Sequence, residues 1–112
     1  MRLLLINANT STAITERLVA GARRLVHSDT EVVGVTARFG ARYVATRAAY
    51  AIAGHAVIDA FAEQADTAAA VILGCFGDPG LMALRELSNV PVIGMAEAKS
   101  LCTKPCCLFL IL

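Results

Sequence analysis

The alternation of strand and helix patterns along the chain constrains its fold more than any other feature. Continuous apolar runs of strand length occupy residues 3–6, 32–36, 68–74 and 90–94, and helical patterns occupy residues 12–27, 47–65 and 79–87. Repeated strand–helix–strand units make right-handed crossovers and build a parallel sheet with helices on both faces. The sequence therefore predicts an α/β fold, a flavodoxin-like open parallel sheet with strand order 2-1-3-4.

Net charge and the lengths of the terminal apolar runs limit the kinds of partner that this chain is expected to bind. The 112-residue chain has a formal net charge of +1, so no basic field indicates nucleic acid or an anionic membrane as a partner. The opening apolar run is too short for a signal peptide, and the closing run at residues 108–112 is too short to span a bilayer. We therefore expect a cytoplasmic protein that contacts neither nucleic acid nor membrane, with its four cysteines as thiols.

Strand order places two turns together. In the order 2-1-3-4 the first and third strands are neighbours, and the chain leaves them in opposite directions. Ligands of such sheets bind beyond the carboxyl ends of the strands at that point. The turn at residues 7–11 and the loop at residues 75–78 follow these two strands, so the sequence predicts a small-molecule site between them.

Cys75 ends the third apolar run and opens a glycine-rich turn before a helical pattern. Free backbone N–H groups and the positive end of a helix dipole stabilise a thiolate. We therefore expect Cys75 to be a reactive thiol with a lowered pKa. The alternative is a small buried thiol at a strand end, which is common in proteins.

The residues around these two turns resemble a known family. Asn7-Ala8-Asn9-Thr10-Ser11 is similar to the Asn-Pro-Asn-Thr-Ser opening of the aspartate/glutamate/hydantoin racemases, with alanine where proline is usual. Residues 74–81 (Gly-Cys-Phe-Gly-Asp-Pro-Gly-Leu), 83–86 and 91–98 resemble the hydantoin racemase branch in particular. The resemblance covers residues 1–98.

The resemblance implies an enzyme that inverts a carbon next to a carbonyl without a cofactor or metal, acting on a hydantoin, allantoin or an amino acid. Two cysteines on opposite faces of the substrate remove and return the proton. Charge that develops on the carbonyl oxygen needs hydrogen-bond donors already in place. By resemblance, Cys75 is one catalytic acid/base. The implied substrate-binding groups are the side chains of Asn9, Thr10 and Ser11 and the backbone N–H groups of Phe76 and Gly77.

The resemblance also implies a longer protein. Family members have two related lobes with the site between them, and the second lobe supplies the second cysteine. We therefore interpret residues 1–98 as the N-terminal lobe of a truncated racemase, inactive alone. The alternative is a non-catalytic remnant that binds a small carboxylate or cyclic amide.

The last fourteen residues differ from the rest in composition. Both lysines lie there, whereas the earlier chain uses arginine only, and three of the four cysteines lie there too: Cys102, Cys106 and Cys107. We interpret residues 99–112 as a divergent tail, such as a shifted reading frame would give. Its apolar end predicts pairing as an edge strand or burial in a homo-oligomer interface. A zinc site at the three cysteines has only weak support from their spacing.

Several polar residues have two interpretations. Arg42, Tyr43 and Arg47 follow the second strand and either contact an anionic substrate or lie on the surface. His55 and Asp59 either act together or form a solvated pair on one helix face. The carboxylate near the end of the lobe, Glu97, lies either at the cleft or in the first turn of a helix.

Two further classes of protein lack their sequence signals in this chain. A response-regulator-like signalling domain has the same fold but would need an acidic cluster after the first strand, which this sequence lacks. A nucleotide-binding protein would need a dinucleotide or P-loop fingerprint, which the glycines at 77 and 80 do not form. The racemase resemblance therefore guides the interpretation of the site.

Overall fold

The computed structural model describes residues 1–64 and 67–101. Along the chain the elements are β1 Arg2–Asn7, α1 Thr12–Arg23, β2 Glu31–Thr36, α2 Arg47–Ala62, β3 Ala70–Leu73, α3 Leu81–Leu87, β4 Val92–Gly94 and α4 Met95–Leu101. The strands form one sheet in the order β2-β1-β3-β4, and every neighbouring pair is parallel. The predicted fold class and strand order are confirmed.

The sheet is covered on both faces because the central strand β1 is apolar on both. Leu4 and Ile6 belong to a core cluster that includes side chains of α2 and α3, among them the fully buried Leu84. Leu5, on the opposite face of the same strand, packs in a second cluster with Val19 of α1. Alternate side chains of a strand point to opposite faces, so α1 lies on one face, and α2 and α3 lie on the other.

Several element ends differ from the sequence prediction, those of α1 and α3 among them. Helix α1 ends at Arg23 rather than at residue 27, and the backbone N–H groups of Leu25 and Val26 share the carbonyl of Ala22 in the turn that follows. Helix α3 begins at Leu81 rather than at residue 79. Gly80 precedes it with φ of 75°, a left-handed conformation that a right-handed helix cannot include.

The predicted division at residue 98 falls inside α4, which runs without interruption to Leu101. The division of the chain at that point stays a prediction. The expectations for Cys102, Cys106 and Cys107, and for pairing of the apolar end, lie outside the described residues.

Replacement of Gly80 should lower stability for two reasons, a close contact and a positive φ. An added Cβ would lie 2.8 Å from the carbonyl oxygen of Gly54 and 2.8 Å from Cγ2 of Val57, on top of the unfavourable φ. We expect Gly80→Ala to lower the free energy of unfolding by about 2–4 kcal/mol, measured by urea denaturation. Gly21→Ala is the matched control, because nothing lies within 4 Å of its Cβ position in α1. It should be neutral or slightly stabilising, and equal losses in both variants would contradict this account of the Gly80 turn.

Candidate active site

The turns that follow β1 and β3 lie side by side. The two strands pair directly, with Ile6 opposite Leu73, and the N–H of Gly74 donates to the carbonyl of Ile6 at 2.8 Å. A groove of about 300 Å³ opens at their carboxyl ends. Its walls are formed by Asn9, Ile14, Leu18, Tyr43, Val44, Gly74, Cys75, Phe76 and Met95.

The groove brings together half of the predicted site residues. Asn9, Cys75 and Phe76 line it. Thr10, Ser11 and Gly77 occupy the adjoining turns but do not line it. Thr10 is tied to the β2–α2 connection, because its N–H donates to the carbonyl of Ala41 at 3.1 Å.

Asn7, which the sequence reasoning did not single out, organises the turn after β1. Its side chain is fully buried, and its Nδ2 lies within hydrogen-bond distance of Asn9 Oδ1 (2.9 Å), the Ser11 carbonyl (3.0 Å) and Thr15 Oγ1 (3.0 Å). Its Oδ1 accepts the N–H of Asn9 at 3.2 Å. The signal for Asn7 is its position as the first asparagine of an Asn-x-Asn turn, at the end of a buried strand.

These bonds fix the orientation of the Asn9 amide. Asn9 Oδ1 accepts from Asn7 Nδ2 and, at 2.9 Å, from the N–H of Ser11. The oxygen therefore faces the turn, and the amide nitrogen has no hydrogen-bond partner among residues 1–64 and 67–101. Since Asn9 lines the groove, its NH₂ group is available as a donor to a ligand there.

The loop after β3 also presents donors. Within the described residues, the backbone N–H groups of Phe76 and Gly77 make no hydrogen bond. The loop is held closed by the N–H of Asp78, which donates to the carbonyl of Cys75 at 3.2 Å. From α2, the hydroxyl of Tyr50 donates to the carbonyl of Gly77 at 2.7 Å. No sequence signal marked Tyr50, because its role depends on the packing of α2 beside this loop.

The expected lowering of the Cys75 pKa is wrong. Burial of the half-exposed thiol raises its pKa, and the nearby carboxylate of Asp78 raises it further. Helix α3 begins at Leu81, two residues later than predicted, so its N-terminus lies further along the chain from Cys75 than expected. The Sγ atom instead points back to the carbonyl of Phe76 at 3.5 Å. Cys75 is therefore a protonated thiol at neutral pH.

Ion pairs decide the positions of Glu97 and Asp59, for which the sequence left two interpretations open. Arg85 of α3 pairs with Glu97 of α4 through both oxygens of the carboxylate, at 3.0 and 2.5 Å, and also donates to the carbonyl of Val92. The hydrogen bond with Arg85 lowers the pKa of Glu97. Asp59 pairs with Arg38 rather than with His55, and that bond lowers the pKa of Asp59. Glu97 and Asp59 thus connect elements outside the groove.

The aromatic and basic residues after β2 divide between groove and surface. Tyr43 lines the groove, and the guanidinium carbon of Arg42 lies 5.9 Å from the centre of its ring. Arg47 is exposed at the start of α2. The aromatic ring of His55 packs edge-on against Phe39, with ring centres 5.1 Å apart. Of these residues, Tyr43 alone contributes to the groove.

Neither a metal centre nor a membrane span is present in the part of the chain that the structure describes. No three His, Cys, Asp or Glu side chains there are grouped closely enough to hold a metal ion. No helix among the same residues is long and apolar enough to cross a membrane.

A groove with a thiol and an oriented amide, at the point where the strand order reverses, defines an α/β protein with a small-molecule site. Residues 3–104 match the family model described as Asp/Glu/Hydantoin racemase, and the chain belongs to that family. It is 36% identical over 100 residues to a hydantoin racemase of Paenarthrobacter aurescens, covering 88% of this chain and 42% of that protein. It is 31% identical over 99 residues to one from Pseudomonas sp. (strain NS671), covering 88% and 40%.

Solved structures agree with this assignment. The allantoin racemase from Pseudomonas fluorescens superposes with a TM-score of 0.84 at 39% identity, and that from Klebsiella pneumoniae with 0.83 at 40%. Each match covers 88% of this chain, and 42% and 40% of the two solved chains. The chain thus spans about two fifths of the length of the relatives it matches.

Proposed function

We propose that the chain forms the N-terminal lobe of a cofactor-independent racemase and that Cys75 is one of its two acid/base thiols. The substrate in this proposal is a hydantoin or allantoin ring or a related amino-acid derivative. The observation that supports it best is that the Cys75 thiol and the Asn9 amide line the same groove. A proton donor and a hydrogen-bond donor for a carbonyl oxygen are the two kinds of group that this reaction needs on one side of the substrate.

The protonation state of Cys75 gives it a role in the proposed cycle. Because burial raises its pKa, Cys75 enters the cycle as a thiol. It therefore donates a proton to the substrate carbon, while a base on the opposite face removes the original one. In the reverse direction the Cys75 thiolate is the base. The charge that develops on the carbonyl oxygen is stabilised by the Asn9 amide and the free N–H group of Phe76, two residues that line the groove.

The names of the relatives support the substrate class. Two similar proteins are hydantoin racemases, and two similar structures are allantoin racemases. 5-Substituted hydantoins and allantoin share a five-membered ring in which the chiral carbon carries a hydrogen next to a carbonyl. Loss of that hydrogen gives an enolate, which is the species that the donors after β1 and β3 would stabilise.

Hydrogen exchange at the chiral carbon tests the role of Cys75 without requiring inversion. A 5-substituted hydantoin in D₂O should lose its C5 proton signal faster with the wild-type chain than with Cys75→Ser, by roughly the 10²-fold lower bound credited to one positioned base. The difference should grow as the pH rises toward the raised pKa of Cys75, because only the thiolate removes a proton.

Cys102→Ser provides the matched control, since it removes a thiol from the divergent tail. Its exchange rate should equal that of the wild type. Equal rates for the wild type and Cys75→Ser would contradict the catalytic proposal and favour a protein that only binds a small carboxylate or cyclic amide.

A further inference from the structure

We propose that Asp78 is a positioning residue for Cys75: its carboxylate fastens the Cys75 loop to α4, so that a negative charge stands at the end of the loop that carries the thiol. The inference rests on the proposed function of Cys75 as an acid/base. It concerns a residue for which the sequence resemblance implied no role.

The carboxylate of Asp78 bonds to the first turn of α4. Its Oδ1 accepts the N–H of Ala96 at 2.9 Å, and its Oδ2 accepts the N–H of Glu97 at 2.8 Å. These N–H groups have no partner inside a helix, so the carboxylate satisfies them and complements the helix dipole. A residue of the loop after β3 thereby fixes the start of the helix after β4.

The backbone of Asp78 is shaped for this contact. Its φ is 51°, which makes Asp78 the one non-glycine residue with positive φ within residues 1–64 and 67–101. Positive φ is uncommon for residues other than glycine, and aspartate is one of the few others that adopt it, since its short polar side chain can hydrogen-bond locally. The Asp78 carboxyl group also leaves no room for a side chain at residue 94, because a Cβ on Gly94 would overlap it.

Asp78 is the charged group that acts on the thiol. It stands three residues after Cys75, and its charge raises the Cys75 pKa in addition to burial. The other elements around the groove contribute few titratable groups: Tyr43 comes from the β2–α2 connection, and α1 contributes the apolar Ile14 and Leu18. From α4, Lys99 places its Nζ 5.4 Å from the centre of the Phe76 ring.

The pH dependence of Cys75 alkylation tests the electrostatic part. Iodoacetamide reacts with the thiolate, and peptide mass spectrometry separates Cys75 from the tail cysteines. Asp78→Asn keeps the shape and one acceptor, but it removes the charge. We expect its Cys75 alkylation profile to move to lower pH by about half a unit, which is about threefold faster alkylation at pH 8.

Glu86→Gln is the control, because Glu86 is an exposed carboxylate of the neighbouring helix α3. Its profile should coincide with that of the wild type. A merely structural role for Asp78 would leave the apparent pKa of Cys75 unchanged. Coincident profiles for Asp78→Asn and the wild type would therefore overturn the proposal.

Amide hydrogen exchange in the unmodified chain tests the contact itself and does not depend on the folding of a variant. The N–H groups of Ala96 and Glu97 should exchange at least as slowly as that of Ala98, although first-turn amides without a cap exchange fast. Fast exchange at both would overturn the proposal. Both measurements omit substrate, so a shifted alkylation profile in a chain that exchanges no substrate hydrogen would contradict the proposed function while supporting the role of Asp78.

Discussion

The chain alone is expected to leave an optically pure 5-substituted hydantoin unracemised. In the proposed function, inversion needs an acid or base on each face of the substrate, and Cys75 would supply one of the two. Within the described residues Cys75 is the free cysteine, and the 112-residue chain spans about two fifths of the relatives. We expect the second acid or base to come from the part of the relatives that these residues do not cover.

The expected loss is large because two effects combine. A missing acid or base costs roughly 10²–10⁴ in rate. In addition, a groove without a facing lobe leaves water in contact with the developing enolate, which weakens the hydrogen bonds from Asn9 and the loop after β3. Hydrogen exchange should persist, because the Cys75 thiol exchanges its proton with solvent and returns a deuteron to the face from which it took the proton. Inversion should not occur at a comparable rate, because the opposite face meets only water, a much weaker acid than a thiol.

Polarimetry at neutral pH measures inversion directly, with Cys75→Ala as the control. Both chains should change the optical rotation no faster than buffer alone. Turnover by the wild-type chain well above that of Cys75→Ala would show that a tail cysteine or a second copy of the chain completes the site. The proposal of an inactive half-site would then be wrong.

Asn7→Asp should give the largest loss of stability of any single isosteric change in the turn after β1. The amide nitrogen of Asn7 faces three oxygen atoms, on Asn9, Ser11 and Thr15, in a fully buried position. A carboxylate there would replace a donor with a negatively charged acceptor. We expect the free energy of unfolding to fall by about 3–5 kcal/mol at pH 7, by urea denaturation.

The loss should depend on pH with a defined sign. A fully buried carboxylate with one backbone donor, the N–H of Asn9, and with three oxygen atoms facing it has a raised pKa in the folded state. The folded protein then binds that proton more tightly than the unfolded chain does. The destabilisation should therefore be smaller at pH 4 than at pH 8. Asn89→Asp is the matched control, because Asn89 is exposed. Equal losses at residues 7 and 89, or a loss independent of pH, would contradict the assigned orientation of the Asn7 amide.

The sequence by itself determined the architecture and the place of the site. Four apolar runs separated by helical patterns leave few ways to bury both faces of a sheet, and right-handed crossovers remove most of those. Once the first and third strands are neighbours, the turns that follow them must adjoin. Asn9 and Cys75 therefore meet in one groove, and this could be predicted without coordinates.

Only the tertiary structure decided the direction of the Cys75 pKa shift and the hydrogen bonds that hold the site residues in place. The sequence suggested a lowered pKa for Cys75, whereas burial and Asp78 raise it. Asp78 reaches α4, and Tyr50 reaches the Cys75 loop from α2. A pKa depends on the depth of burial and on distances to charges. The hydrogen bonds made by Tyr50 and Asp78 join residues that lie 27 and 18 positions apart in sequence. Local patterns carry no information on such distances, since packing of whole elements sets them.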